Sequence, residues 1–284
     1  MSLVSMTEML RKAKAEKYAV GQFNINNLEF TQAIVEAAIE EGSPVILGVS
    51  EGAIKYMGLE YTVALAKTAA EISDIPIALH LDHGSSFEIA MKVIRAGFSS
   101  VMFDGSHYSY EQNVILTKKI VEAARAMGVS VEGELGTIGG TEDDLSVEDK
   151  DALLANPLEA IKYYKDTDVD ALAIAVGSAH GVYKGEPKIR FDIIEAVCKE
   201  IDIPLVLHGG SGIPDETIKK AIKAGIGKIN VNTECQIVMT KKIREIFIND
   251  SKVYDPRKYL GPGREEIKRA VKEKIILFGS NGKA

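Results

Sequence analysis

The sequence predicts a closed (β/α)8 TIM barrel, and three observations predict it. Short apolar segments recur eight times along the 284 residues. Helical patterns lie between them, several closed by a glycine. The segments start 24 to 41 residues apart, enough for a strand, a helix and two connections. The competing arrangement is an open doubly wound sheet. It would more often hold about five or six strands, and no GxGxxG follows the first segment here.

The segments are YAVGQFN (18–24), PVILGVS (44–50), PIALHLDH (76–83), SVMFDGS (100–106), SVEGELG (130–136), ALAIAVG (171–177), PLVLHGG (204–210) and KINVNT (228–233). Rich in Val, Ile, Leu or Ala, they read as parallel strands buried on both faces. Helices are predicted over 28–41, with apolar Phe30, Ala33, Ile34, Ala37 and Ala38 on one face and Gly42 as a stop, and over 87–96, 112–127 and 215–224. The interval 137–157 is longer than a βα connection requires, Gly-rich and acidic in its first half, and is expected to act as a lid. After the last strand come a helix over 234–247, a Pro/Gly-rich connection YDPRKYLGPGR carrying Arg257, Lys258 and Arg264, and a helix over 265–278. The expected organisation is one domain over 1–284, with a C-terminal helical extension from about 234.

Composition bounds the function. A hydrophobic content of 46% with 26% charged residues is that of a globular chain, long enough to bury a core without disulfides. The two cysteines, Cys198 and Cys235, form no CxxC pair, so a reducing, cytoplasmic location is expected. The first 20 residues read as a short amphipathic helix opened by Thr7 and not as a signal peptide. No apolar run approaches the roughly 20 residues that span a bilayer, so no membrane partner is expected. A net charge of −7 argues against nucleic acid.

Catalytic groups of such barrels stand where strands end. Those positions hold Asn24, Ser50, Asp82 with His83, Asp104, Glu134, residues 177–180, His208, and Asn230, Val231, Asn232 and Thr233. Of the five histidines, His83, His180 and His208 fall at or just past the ends of strands three, six and seven. Three neutral imidazoles with one open position suit a catalytic divalent metal, zinc above all. His80 lies inside strand three and reads as a hydrogen-bonded interior histidine, and His107 as a loop residue. Asp82 can exchange a proton with a substrate oxygen or orient a histidine. Asp104 and Glu134 suit a second divalent cation or orientation of the first metal equally well. HGGSG (208–212), NVNT (230–233) and GSAHGVYKGEP (177–187) offer backbone N–H groups and the hydroxyls of Ser211 and Thr233 to a phosphate. No lysine stands where a Schiff-base former would, since Lys228 is read as the start of strand eight. A metal beside a phosphate pocket and carboxylates suits an enediolate derived from a sugar phosphate.

HLDHGSS (80–86), EGELGTIGGTEDD (132–144), GSAHGVYKGEP, LHGGSGIP (207–214), KINVNTE (228–234) and YDPRKYLGP (254–262) resemble the class II, zinc-dependent fructose-bisphosphate aldolases from end to end. The resemblance implies cleavage of fructose 1,6-bisphosphate to dihydroxyacetone phosphate and glyceraldehyde 3-phosphate. It implies zinc on His83, His180 and His208, a second divalent cation at Asp104 and Glu134, and proton transfer by Asp82 and the lid's Glu142. Gly181, Gly209, Gly210, Ser211, Asn230, Val231, Asn232 and Thr233 match the contacts to dihydroxyacetone phosphate, with a monovalent cation (Na+ or K+) assisting. Asn24 also falls among the substrate contacts, and Ser50 and Arg257 are matched to the other phosphate, Arg257 across a subunit interface. A homo-oligomer, dimer or tetramer, is implied. The sequence departs from the family at Gly133 (commonly Ala), Thr141 (commonly Gln or Glu) and Ser211 (often Thr), none of which removes a metal ligand or proton carrier. The near neighbour is tagatose-1,6-bisphosphate aldolase. A metal-dependent hydrolase and a non-enzymatic binding protein are the remaining alternatives.

Overall fold

The computed structural model describes residues 2–142, 145–147, 153–183 and 185–284, with backbone alone over 141–142 and 145–147. The chain folds as β1 (Val20–Asn24), β2 (Val45–Ser50), β3 (Ile77–Gly84), β4 (Ser100–Phe103), β5 (Ser130–Leu135), β6 (Gly139–Glu142), β7 (Leu145–Val147), β8 (Ala171–Ile174), β9 (Ala179–His180), β10 (Leu205–Leu207) and β11 (Ile226–Val231), with helices between the barrel strands. Eight of these strands close into a parallel barrel in the order β1-β11-β10-β8-β5-β4-β3-β2. β6, β7 and β9 form a small separate sheet.

Strand side chains alternate, so each barrel strand feeds two compartments. Outward residues such as Phe23, Leu47, Leu79, Val101, Leu172, Leu207 and Ile229 pack with the surrounding helices in one core cluster. Inward residues Val20, Ile46, Ala78, Met102, Ala171, Ala173 and Val206 form a second cluster inside the barrel. That cluster is closed from below by helix α1 (Met6–Glu16), whose Met6 and Leu10 are fully buried. The Met6 N–H donates to Ser130 Oγ at 3.1 Å and pins the helix to β5. Above the floor that α1 closes the interior turns polar: Gln22, His80, Ser100, Glu132 and Lys228 are all fully buried. The barrel thus has an apolar floor, a polar middle layer and a mouth.

Leu10→Ala should cost about 2–5 kcal/mol through the cavity it leaves in that floor. Urea unfolding measures it, with turnover expected within about twofold of the parent. A loss under about 1 kcal/mol would mean that α1 does not close the barrel.

Four boundaries differ from the sequence expectation. The final strand begins at Ile226, not at Lys228, so Lys228 stands mid-strand in the interior. The 137–157 interval carries β6 and β7 as an antiparallel hairpin, with β6 also pairing parallel to β9. The C-terminal helix runs Arg257–Phe278 through Pro262, where a connection was expected. Pro262 lies in the second turn and forgoes one backbone hydrogen bond. Ile267, Val271, Ile275 and Phe278 on the same helix are buried in the core, which outweighs that loss. Thr7 does not cap α1; Ser5 precedes the helix and Thr7 Oγ instead donates to Asp170.

No helix among the described residues is long and apolar enough to cross a membrane. Both cysteines are free, Cys235 buried and Cys198 partly exposed.

Candidate active site

Three histidines meet at the barrel mouth. Ring centroids lie 5.0 Å apart for His83–His180, 4.7 Å for His83–His208 and 5.7 Å for His180–His208. One ring nitrogen from each lies within 4.8 Å of the others. Each reaches the mouth by a different device. His208 follows β10 directly. His83 takes a left-handed φ of 50°, and the β3–β4 register shifts between Leu81 and Gly84. That break lets Asp82 and His83, neighbours in sequence, both serve the mouth instead of opposite faces. His180 lies on β9 opposite Gly140, where a Cβ would stand 2.1 Å from the His180 carbonyl oxygen. The hairpin can dock on β9 only because residue 140 has no side chain.

Carboxylates stand behind two of the imidazoles. His83 Nδ1 lies 3.1 Å from Asp104 Oδ2, and His208 Nε2 lies 3.1 Å from Glu132 Oε1. An ionised carboxylate only accepts, so the imidazole protons sit on these nitrogens. The opposite nitrogens, His83 Nε2 and His208 Nδ1, then face each other at 3.0 Å. Two lone pairs at that distance repel unless a cation or a proton lies between them. Two imidazoles on one tetrahedral zinc, with Zn–N of about 2.0–2.1 Å, keep nitrogens roughly 3.3 Å apart. The donor set and its spacing therefore fit a zinc-type ion held by His83, His180 and His208.

The electrostatics agree. Burial holds His208 and His180 below the usual imidazole range, His180 by a wide margin, with the neighbouring histidines adding to it. Neutral imidazoles are what a metal requires. Burial also opposes charge on His83, but its bond to Asp104 and the nearby Asp82 and Glu134 raise it well above that range. Without a metal, the cluster collects its positive charge there.

Asp82 is 1% exposed at the end of β3. Asn24 Nδ2 donates to Oδ2 at 2.8 Å, and Asn230 Nδ2 reaches Oδ1 at 3.3 Å. The same Asn230 nitrogen lies 3.3 Å from His208 Nδ1, which sets Asp82 beside the cluster. Burial alone would raise this carboxyl, yet His83, His208, Lys228 and His80 hold it well below the usual range.

A second group of candidate ligands adjoins the first: His83, Asp104 and Glu134 also bring one ligand atom each within 4.8 Å of one another. Burial and the charge of Asp104 push Glu134 far above the ordinary carboxyl range, which a cation among these groups would relieve. Ser106 caps Asp104, its hydroxyl donating to Oδ1 at 2.6 Å.

The glycine turns line the same mouth. Gly209 has φ of 65°, and a Cβ there would stand 2.2 Å from the Ala179 carbonyl oxygen. The Gly210 N–H donates to the Asn230 carbonyl at 2.8 Å, and Ser211 Oγ accepts from the Glu234 N–H at 3.2 Å. Tyr183, which the sequence reading did not single out, joins two turns: its hydroxyl accepts from Ala179 N–H and donates to the Gly209 carbonyl, each at 2.9 Å. Gly181 lies between the two. Asn232 stands at the N-cap position of the helix Thr233–Asn249 at the end of β11, next to Val231, without a side-chain capping bond. Ser50 pairs in register with Asp82, and its hydroxyl caps the helix Glu51–Met57.

Arg257 is not brought to this cluster. Its exposed guanidinium forks onto Asp255, in a surface hollow lined by residues 250 and 252–258. The Glu142 side chain and Lys184 lie outside the described residues. His80 stays in the interior, its Nδ1 2.7 Å from Ser100 Oγ, and burial holds it neutral with a pKa near 3. His107 lies in the loop after β4, beside His83, Asp104, Glu134 and His180 in a small hollow.

Glu132 and Lys228 are the interior residues that sequence reasoning missed. The Lys228 ammonium lies 2.8 Å from Glu132 Oε2, an ion contact off the hydrogen-bonding directions, with both side chains fully buried. Burial would raise Glu132, but Lys228 and His208 pull it down to about 2. The available signal was the two-residue period of β5, which puts Glu132 on the same face as Glu134.

Fold and mouth together define a (β/α)8 barrel with a candidate metal-binding site at its mouth. The chain belongs to the class II fructose-bisphosphate aldolase family, whose model, described as "Fructose-bisphosphate aldolase class-II", matches residues 4–283. It is 56% identical over 288 residues to the fructose-bisphosphate aldolase of Staphylococcus aureus, covering all of both chains. It is 57% identical over 287 residues to that of Geobacillus stearothermophilus, covering 100% of this chain and 99% of the relative. Among solved structures it resembles the YdjI aldolase from Escherichia coli K12, with a TM-score of 0.87, 33% identity and 99% of each chain covered.

Proposed function

We propose that this chain cleaves fructose 1,6-bisphosphate reversibly to dihydroxyacetone phosphate and glyceraldehyde 3-phosphate. The observation that carries the reading is the histidine cluster, with His83 and His208 buried, and Asp82 beside it, oriented by Asn24 and Asn230. Zinc, when bound by His83, His180 and His208, supplies Lewis acidity that polarises the ketone and stabilises the enediolate.

The chain's own groups do the rest. Asp82 takes the proton of the C4 hydroxyl in cleavage and returns it in condensation. Its two amide partners fix the carboxylate's direction, so little reorganisation is needed. Gly181, Gly209, Gly210, Ser211, Asn230, Val231, Asn232 and Thr233 hold the phosphate of the dihydroxyacetone half, and a monovalent cation completes that pocket. Glu142 moves the proton at the carbon that becomes the enediolate. Asp104 and Glu134 serve a second divalent cation. Ser50 meets the far phosphate, with Arg257 supplied by a second copy of the chain in a homo-oligomer.

A coupled assay for triose phosphate release, with and without chelator, tests this. Carbon–carbon cleavage is expected to vanish with chelator and return with zinc. Hydrolysis of a phosphate ester without cleavage would remove the aldolase reading. Specificity constants on fructose and tagatose 1,6-bisphosphate decide the substrate, with fructose expected to be favoured.

A further inference from the structure

Beneath the histidine cluster, the barrel's middle layer holds a charge pair that the reaction itself does not use. Glu132 and Lys228 project from β5 and β11, are fully buried, and touch at 2.8 Å. Removing two charges from water is expensive, and an apolar pair of similar volume would serve packing as well or better. The interior floor that β1, β2, β3, β8 and β10 build with the first helix is apolar, so the barrel has no general need for charge inside it. What singles the pair out is its second contact. Glu132 has two oxygens: Oε2 meets Lys228, and Oε1 lies 3.1 Å from His208 Nε2. Only one end of His208 is then left for the mouth, Nδ1, which stands 3.0 Å from His83 Nε2.

We infer that Glu132 and Lys228 form a positioning unit for the metal centre: the carboxylate, anchored by the buried ammonium, fixes the tautomer and tilt of His208 so that Nδ1 is the ligand atom. The inference rests on the reading that the three histidines hold zinc. The contrast within the site explains why an internal counter-charge is needed. Asp104, behind His83, is steadied by the Ser106 hydroxyl and N–H at the rim. Glu132 lies a layer deeper, and a fully buried side chain beside it, Lys228, is what offsets its charge.

The test compares the full-length wild type with Glu132→Leu/Lys228→Met and Glu132→Gln/Lys228→Met. Zinc dissociation constants come from chelator competition, alongside melting of the metal-free chains. The apolar pair is expected to melt at or above the wild-type temperature when metal-free, yet to bind zinc about 10–100-fold more weakly, the usual cost of losing an outer partner. The Gln/Met pair restores a neutral acceptor for the Nε2 proton and is expected to recover at least part of that affinity. Zinc binding within threefold of wild type in the Leu/Met variant overturns the inference. So does a Gln/Met variant no better than Leu/Met. Should the apolar pair fail to fold, Glu132→Asp asks the same question, since it keeps the charge beside Lys228 but withdraws the acceptor by one methylene. Weakening of about tenfold is expected there, and unchanged affinity overturns the inference. A wild type that binds no zinc would count against the metal reading itself, which this comparison keeps separate.

Discussion

Asp82→Ala should leave zinc bound and lower kcat by roughly 10²–10⁴-fold, the range for loss of a general acid/base. Asp82 is adjacent to His83 in sequence, yet it is not among the residues whose ligand atoms converge. Its oxygens are taken by Asn24 and Asn230, so it is held ready for a partner other than the ion. Truncation leaves those two amides without their acceptor, at a cost of about 1–3 kcal/mol each where buried. Melting temperature and zinc content must therefore be measured with kcat, since a fall in all three would reflect a loosened mouth and not a lost proton carrier. Turnover within a factor of two of wild type would end the proton-transfer role. Asp82→Asn is a useful companion. It keeps the volume but turns a donor toward a donor, so it should lose as much rate while packing more nearly as wild type does.

The barrel was legible because its signals are local. Strands buried on both faces read as unbroken apolar runs such as VILGVS and IALHL, and helices end at glycines. The histidines were legible because a strand's end can be located, and the end decides the mouth. The interior charge pair escaped because it depends on pairing across the barrel. Nothing local to β11 says that Lys228 faces β5, and nothing local to β5 says that Glu132 will meet both Lys228 and His208. The left-handed turn at His83 is also invisible in sequence, because the residue in it is not glycine. The hairpin of β6 and β7 was hidden by composition: GGTE has little strand character of its own and forms a strand by pairing with β7 and β9. Pro262 misled for the opposite reason, a strong local signal overruled by the packing of the helix around it.

His208→Ala should abolish zinc binding and cleavage together, and by more than any change behind the ligand. Loss of an outer partner costs a metal about 10–100-fold; on the proposed reading, loss of the imidazole removes one of three ligand nitrogens and the Nδ1 that faces His83. His208 makes polar contacts to three residues of the site: Nδ1 faces His83, Nε2 faces Glu132, and Asn230 reaches the ring from the Asp82 side. Removing it is therefore expected to loosen the ion and to take one partner each from Glu132 and Asn230. The Glu132–Lys228 contact remains, so the interior keeps its charge balance and the chain should still fold. Elemental analysis after exhaustive dialysis, with kcat on fructose 1,6-bisphosphate, measures the outcome. A variant that keeps one equivalent of zinc and near-normal turnover would place His208 outside the metal's ligands and leave the ion on His83 with other donors. One that keeps zinc but loses turnover would mark it as a substrate contact. The 3.0 Å approach of His208 Nδ1 to His83 Nε2, with Asp104 and Glu132 behind the opposite nitrogens, is the arrangement from which joint loss of zinc and turnover is expected.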